Sequence, residues 1–415
     1  LDKPPFEQHN FGGMLGGPLV RDRLFFFTNY ERYRNREGVL FRRTVPTPAM
    51  RNGDFSDFRN LQTGEVVPIY DPWTQCGTVN PGTGLYNGDC GTVPNRLQFP
   101  GNIIPADRIN PIAKALLNFP IYADPTEPGP WKTQNFNRNA QVGGDNSQVN
   151  VRLDYNLSQN HRLLGRYTRF ESTNLPVDVY GNGQRNGDPY SPEHFITTQV
   201  MVASTHTLNP STVLDLRFGF LRWDYDRTPG NLGIDLVGTF GFPQVPYGEI
   251  SARSGIPGME TIPSIGAGSN NVINTGLLLA DDKSYEFTPT LTKLVGGHTL
   301  KIGANLMVAR GDYFQNNSPG GTLTFSAAPT ALNGANPGST GDGFASFLLG
   351  IPTGGTYQSS GFTYNGTSYQ AYFIDDTWRI NSRLTITPGL RWEFPGVYTE
   401  RNDNIVSFNP TAVNP

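Results

Sequence analysis

The amino-acid sequence predicts an all-β chain of about ten strands, part of an antiparallel transmembrane β-barrel. Three observations carry that expectation. Segments of about ten residues alternate between apolar and polar side chains, the period of a strand with two unlike faces. These segments come in pairs joined by short turns, whereas successive pairs are separated by long stretches rich in Gly, Pro and Asn. Mean hydropathy is −0.41, and no apolar run approaches the roughly 18 residues that a spanning helix needs. A strand-built membrane protein escapes that last test, because its apolar residues stand at every second position.

The first pair occupies residues 11–33. Its first member is glycine-rich (Gly12, Gly13, Gly16, Gly17), and its second carries Leu24, Phe25, Phe26, Phe27, Tyr30 and Tyr33, residue types that favour strands. Arg21-Asp22-Arg23 makes the turn. The cleanest alternation is Gln148 to Ser158, with Val149, Val151, Leu153, Tyr155 and Leu157 on one parity and only polar residues on the other. A turn at Gln159-Asn160-His161 leads into Arg162 to Phe170. The third pair is Phe195 to His206 and Thr212 to Trp223, turning at Leu208-Asn209-Pro210, where proline cannot donate to a ladder. The fourth is Tyr285 to Val295 and Thr299 to Arg310, joined by the hairpin dipeptide Gly296-Gly297. The fifth is Tyr369 to Ile380 and Arg383 to Phe394, turning at Asn381-Ser382.

Short and long connections therefore alternate, the long ones covering about 35–146, 171–194, 224–283 and 311–368. This is the layout of an outer-membrane barrel, with tight periplasmic turns, long extracellular loops and strands of about 9–11 residues. A soluble β-sandwich or propeller also alternates. It rarely keeps one class of connection always short, and its strands average nearer five or six residues. The polar parity, read as lumen-facing, carries Asn150, Arg152, Asp154, Asp215, Arg217, Lys301, Asn305, Arg391 and Glu393. Trp223, Trp378, Trp392, Tyr30, Tyr33 and Phe394 fall near strand ends, where aromatic residues gather at membrane interfaces. Helical spacing predicts short helices inside two loops, at Pro111 to Phe119 and Phe344 to Leu349.

The 415 residues include 48 Gly and 34 Pro and carry a net charge of −3. No basic stripe is present, so nucleic-acid binding has no support. The two cysteines, Cys76 and Cys90, lie in one loop and are candidates for a disulfide in an oxidising setting. No catalytic motif is present, neither a phosphate loop nor His-Glu-x-x-His nor Gly-x-Ser-x-Gly. No enzyme, metal site or cofactor is expected. His9, His161, His194, His206 and His298 are scattered, and His161 and His298 read as solvated turn residues. Asp375-Asp376 lies inside a strand, so its carboxylates point to opposite faces; Asp281-Asp282 reads as a loop end. Gly181 to Asp188 has calcium-loop character without the closing glutamate.

The sequence is similar to Oar-like TonB-dependent outer-membrane receptors, which often carry an N-terminal carboxypeptidase-regulatory-like domain. The run Phe11-Gly12-Gly13-Met14-Leu15-Gly16-Gly17-Pro18, then Arg21 to Phe27 and Tyr30-Glu31, carries the resemblance. It continues through Thr44 to Thr47, Met50 to Ser56, Ile69-Tyr70-Asp71-Pro72, Phe99 to Pro105, Arg108-Ile109, Asn160 to Tyr167, Phe344 to Gly350, Phe373 to Arg379 and Leu384 to Glu393. What the resemblance implies is a 22-stranded barrel filled by a plug domain. A TonB box would lie before the plug. The implied partners are outer-membrane lipid, the TonB complex and an unknown solute (an oligosaccharide, peptide or metal chelate). No match to the plug or the first barrel strand is found. The chain, with both ends reading as cut, is expected to be a fragment whose first hairpin is strands two and three. The expected function is solute binding at the loops and admission through the plugged barrel. The alternatives are a structural, adhesion or protein-export barrel and a soluble carbohydrate-binding β-protein.

Overall fold

The computed structural model describes residues 5–415 except 84, 86, 89–95, 119–122, 128, 130, 132, 176, 182–191, 229–231, 255, 257–263, 268–275, 359, 405–410 and 412–415. One antiparallel sheet dominates. It begins with β1 (Phe6–Val20), β2 (Leu24–Arg43), β3 (Phe136–Ser158), β4 (His161–Asn174), β5 (Glu193–Asn209) and β6 (Thr212–Arg227). A short strand outside it, β7 (Ser264–Ala267), precedes β8 (Leu277–Val295) and β9 (His298–Asn316). Two more short strands, β10 (Thr322–Phe325) and β11 (Gly354–Thr356), are followed by β12 (Thr363–Arg379), β13 (Thr385–Ile386), β14 (Gly389–Pro395) and β15 (Thr399–Glu400). Every long strand pairs with its neighbour in sequence, and β13, β14 and β15 all pair with β12. Pro388 splits the last partner of β12, since it has no N–H for the ladder. Among the described residues the sheet is not closed: β1 pairs with β2 alone.

Most strands run further than alternation predicts, chiefly at the long-loop end, although β5 also gains three residues at its turn and the expected strand 383–394 is broken into β13 and β14. β2 continues to Arg43 and β3 starts at Phe136, so their connection is 44–135 rather than 35–146. Asp281-Asp282, expected at a loop end, lies inside β8. Gly143 falls in this extension of β3 with a φ of 138°, and a Cβ there would strike the carbonyl of Asn35 on β2. At the other end the turns are tight, and three of them carry a register shift beside the turn.

Register sorts the side chains into two faces. Leu153, Gly165, Val202, Phe218, Phe287 and Leu306 form one row across six strands, and Val151, Tyr167, Val200, Phe220, Tyr285 and Val308 form the next on the same face. The opposite face carries Arg152, Arg166, Met201, Gly219, Glu286, Met307 and Tyr369 in one row. Among the described residues no second layer covers the apolar face: Leu390 remains 68% exposed and Trp392 65%. A water-soluble sandwich would bury that face against another sheet. From Leu300 to Val308 along β9 the outward parity is apolar, about 26 Å of strand at about 3.3 Å per residue. Tilted by about 40°, that covers about 20 Å, most of the roughly 25 Å apolar band of a membrane barrel.

The buried core lies in the connections instead. Val45, Phe55, Ile69, Ile104 and Leu116 from the first, Val179 from the second, Leu236 and Phe240 from the third, and Phe344, Phe347 and Leu348 from the fourth pack into one cluster. Short helices at Pro48–Arg51 (α1), Pro111–Asn118 (α2), Leu236–Phe240 (α3), Gln244–Tyr247 (α4), Ile250–Ser254 (α5) and Gly343–Leu348 (α6) stud the connections and furnish part of it, except α5, whose Ile250 joins Leu277 and Phe314 in a second, smaller cluster. The expected helices at 111–119 and 344–349 are thus α2 and α6. The small sheet β11-β10-β7 joins the third and fourth connections. This cap rests on the polar parity of β2 and β3, through Phe41, Phe136, Ala140 and Val142.

Candidate functional site: polar sheet face and loop cap

All nine residues expected on the polar face lie on it. Asp154 faces Leu164, whose row continues through Ala203 to Arg217, and Asp215 accepts from Thr205 Oγ1 at 2.6 Å. Asn150 accepts from Thr168 Oγ1 at 2.7 Å. Arg152 chelates Asp154 through Nε (2.7 Å) and Nη2 (2.8 Å). Arg391 pairs with Glu393 at 2.5 Å and donates to Tyr369 Oη at 3.0 Å. Asn305 donates to Glu286 at 2.8 Å, and the Lys301 ammonium stands 5.7 Å from the Phe373 ring centre. These are bracing contacts between adjacent side chains, spread along the wall rather than converging on one point. A recess of about 410 Å³ interrupts the wall where Gly219 presents no side chain between Met201 and Glu286.

Several residues sit elsewhere than expected. Trp223 and Tyr33 are on the polar parity, Trp223 stacking on Tyr225 at 5.4 Å, so neither belongs to an outward girdle. Phe25 and Phe27, for which alternation gave no face, point to the polar face, opposite Asp154 and Arg152. Asp281, far from being solvated alone, binds Arg222 Nε at 2.8 Å and Lys283 Nζ at 2.7 Å. His161 and His298 each open a strand: His161 stacks on His206 at 4.7 Å, and His298 Nδ1 lies 2.6 Å from Asp376 Oδ2. Among the described residues no cluster of His, Cys, Asp and Glu could hold a metal. Of the stretch with calcium-loop character, Asn182 to Asp188 lies outside the described residues. So does Cys90; Cys76 is not a free thiol.

The cap is built by residues that sequence periodicity did not single out. Asn102, 3% exposed, donates to the carbonyls of Phe55 (2.8 Å) and Val67 (2.9 Å) and accepts from Ile69 N (2.7 Å). Asn135 closes a matching pair of bonds with the Val45 backbone, both 2.8 Å. Gly53 has a φ of 86°, and a Cβ there would lie 2.6 Å from the Ile104 carbonyl. Asp71 caps the turn at Pro72–Thr74 and binds Arg108 at 2.9 Å, whose guanidinium covers Trp73 at 4.0 Å. Arg96 links the first connection to the fourth: Nη1 donates to the carbonyls of Ala328 (2.8 Å), Pro329 (2.7 Å) and Ala331 (3.0 Å), and Nη2 to Gln75 Oε1 (2.8 Å). Burial draws its pKa below the usual arginine value. The sequence signal for Gly53, Asp71, Asn102 and Arg108 is the motifs themselves, which miss Arg96 and Asn135: Met50 to Ser56, Ile69 to Pro72, Phe99 to Pro105 and Phe344 to Gly350 all build the cap.

The chain therefore presents an uncovered apolar belt, a polar face and a folded cap of connections resting on that face. None of the curated proteins is similar to it in sequence. Among solved structures, the outer membrane transporter YddB from Escherichia coli is similar at 9% identity, with 95% of this chain and 35% of that chain covered and a TM-score of 0.44. The chain thus spans about a third of that protein's length. The family model for an outer membrane beta barrel domain matches residues 1–415, and the chain belongs to that family of the cell outer membrane.

Proposed function

We propose that this barrel domain is part of a TonB-dependent receptor of the Oar-like kind, in which the cap captures a solute outside the cell and the polar face lines its passage. The carrying observation is that the four long connections share one apolar core and rest on the polar face. A barrel that served only as an anchor would have no need of a folded unit above its inner wall. Passive passage through an outer membrane has no energy source there, so the reading requires a plug and a TonB contact supplied by the full-length protein. The solute is an oligosaccharide, a peptide or a metal chelate. On this reading the soluble carbohydrate-binding alternative gives way to membrane residence, and Cys76 and Cys90 form a disulfide within the outward loops.

The test is uptake. Deleting the gene should abolish growth on, or binding of, one solute class in a minimal medium, and the phenotype should require TonB. Complementation with a version lacking residues 44–135 should restore the barrel to the outer membrane without restoring uptake. Full uptake in a strain lacking TonB would overturn the proposal.

A further inference from the structure

The outward face does not stop being informative where its apolar belt stops. The last apolar row on β3 and β4 is Val151 and Tyr167. One step toward the long loops stands Tyr30–Val149–Arg169, then Arg32–Ser147–Glu171, then Arg34–Asp145–Thr173. Three arginines of β2 converge on one carboxylate: Arg32 Nη2 lies 3.3 Å, Arg34 Nε 3.2 Å and Arg36 Nη1 2.9 Å from Asp145. Arg169 pairs with Glu171 at 3.4 Å. Glu7, opposite Arg36 on β1, makes no ion pair among the described residues. Three guanidiniums on a single carboxylate leave positive charge uncompensated, held in forks that match phosphate oxygens.

The same level on β6, β8 and β9 is different. Arg222, Lys283 and Arg310 form a row there, but Asp224, Asp281 and Asp312 form the row directly above. Arg222 binds both Asp224 (2.6 Å) and Asp281 (2.8 Å). Charge is balanced in that half and in surplus across β2–β4.

We propose that the Arg32–Arg34–Arg36–Arg169 cluster binds the phosphate of a lipid headgroup at the edge of the outer membrane. The cluster begins one row above the apolar belt, which is the depth at which headgroups lie, and anionic headgroups attract basic side chains there. Its rigidity comes from Asp145, which holds the three side chains of β2 together before any lipid arrives. The inference rests on the outward orientation of the apolar face.

The experiment uses the full-length protein in neutral detergent, with the heat-dependent shift in gel migration as the check on folding. Native mass spectrometry then counts bound bisphosphorylated glucosamine lipid. Arg32→Gln/Arg34→Gln should weaken binding about tenfold or more, while Arg222→Gln/Lys283→Gln, in the balanced half, should stay within about twofold. The dephosphorylated lipid should bind the unaltered protein no better than the phosphorylated lipid binds the first variant. Inorganic phosphate at equal concentration should not compete; if it does, the site takes free phosphate and the lipid assignment falls. Equal loss in both variants, or equal binding of both lipids, overturns the proposal. Should the glutamine variant not fold, Arg32→Lys/Arg34→Lys and the two-lipid comparison still decide. A protein that does not float with outer membranes refutes the barrel's placement; a floating barrel indifferent to phosphate refutes this inference alone.

Discussion

Single side chains hold the cap together, and their removal has predictable cost. Asn102→Ala would strand the Ile69 N–H and two carbonyls in a buried site. Each unmade bond costs on the order of 1–3 kcal/mol, so the cap should loosen by about 3 kcal/mol or more. Limited proteolysis within residues 44–135 should accelerate while the strand signal in circular dichroism stays unchanged. Arg96→Ala should have a narrower effect, freeing the 3-10 turn at Ala328–Thr330 that the guanidinium grips; cleavage near residue 330 should quicken before cleavage near residue 55. The proposed Cys76–Cys90 bond is checked by alkylation without reductant, since labelling of Cys76 in the folded protein would rule it out. The cysteine pair was legible from the sequence, but neither Asn102 nor Arg96 was legible from spacing. Their partners lie far away in sequence, Arg96 reaching 232 residues to Ala328, and only the motif match drew any notice to their neighbourhoods.

At the scale of a strand, alternation worked where both parities were chemically pure. Gln148 to Ser158 has one wholly apolar and one wholly polar parity, so its faces could be assigned at once. Leu24 to Phe27 is apolar at every position. Nothing in such a run says which residues face the polar side, and register with β3 puts Phe25 and Phe27 there. Asp281-Asp282 failed for the opposite reason. Two adjacent carboxylates suggest a loop, but in β8 they point to different faces, and Arg222 and Lys283 neutralise Asp281. The two-face assignment makes a paired prediction on β5. Val202→Arg puts a cation in the middle of the outward belt and should cost about 2–4 kcal/mol in a bilayer, seen as lower outer-membrane yield. Gln199→Arg, on the polar parity, should be nearly neutral. Equal tolerance of both would contradict the assignment.

For the whole molecule the decisive property is that a single sheet, among the described residues, is uncovered on its apolar face and open at both edges. Unpaired edge strands invite association with other chains, and hydrocarbon forbids them outright. Residues 1–415 expressed alone should self-associate in sedimentation velocity, with detergent reducing but not ending it. A monomer that unfolds cooperatively without detergent would refute the membrane belt. The shared core of the cap carries a further consequence, for surface variation. Connections that pack separately can be exchanged one at a time between related proteins, as interchangeable parts. Here Ile69, Val179, Phe240 and Phe347 come from four different connections and touch one another's cluster, so a transplanted connection would arrive without its complement. Diversity under selection from antibodies or phages should therefore concentrate in exposed tips such as 61–64 and 81–83, leaving the four-part interior to change only in concert.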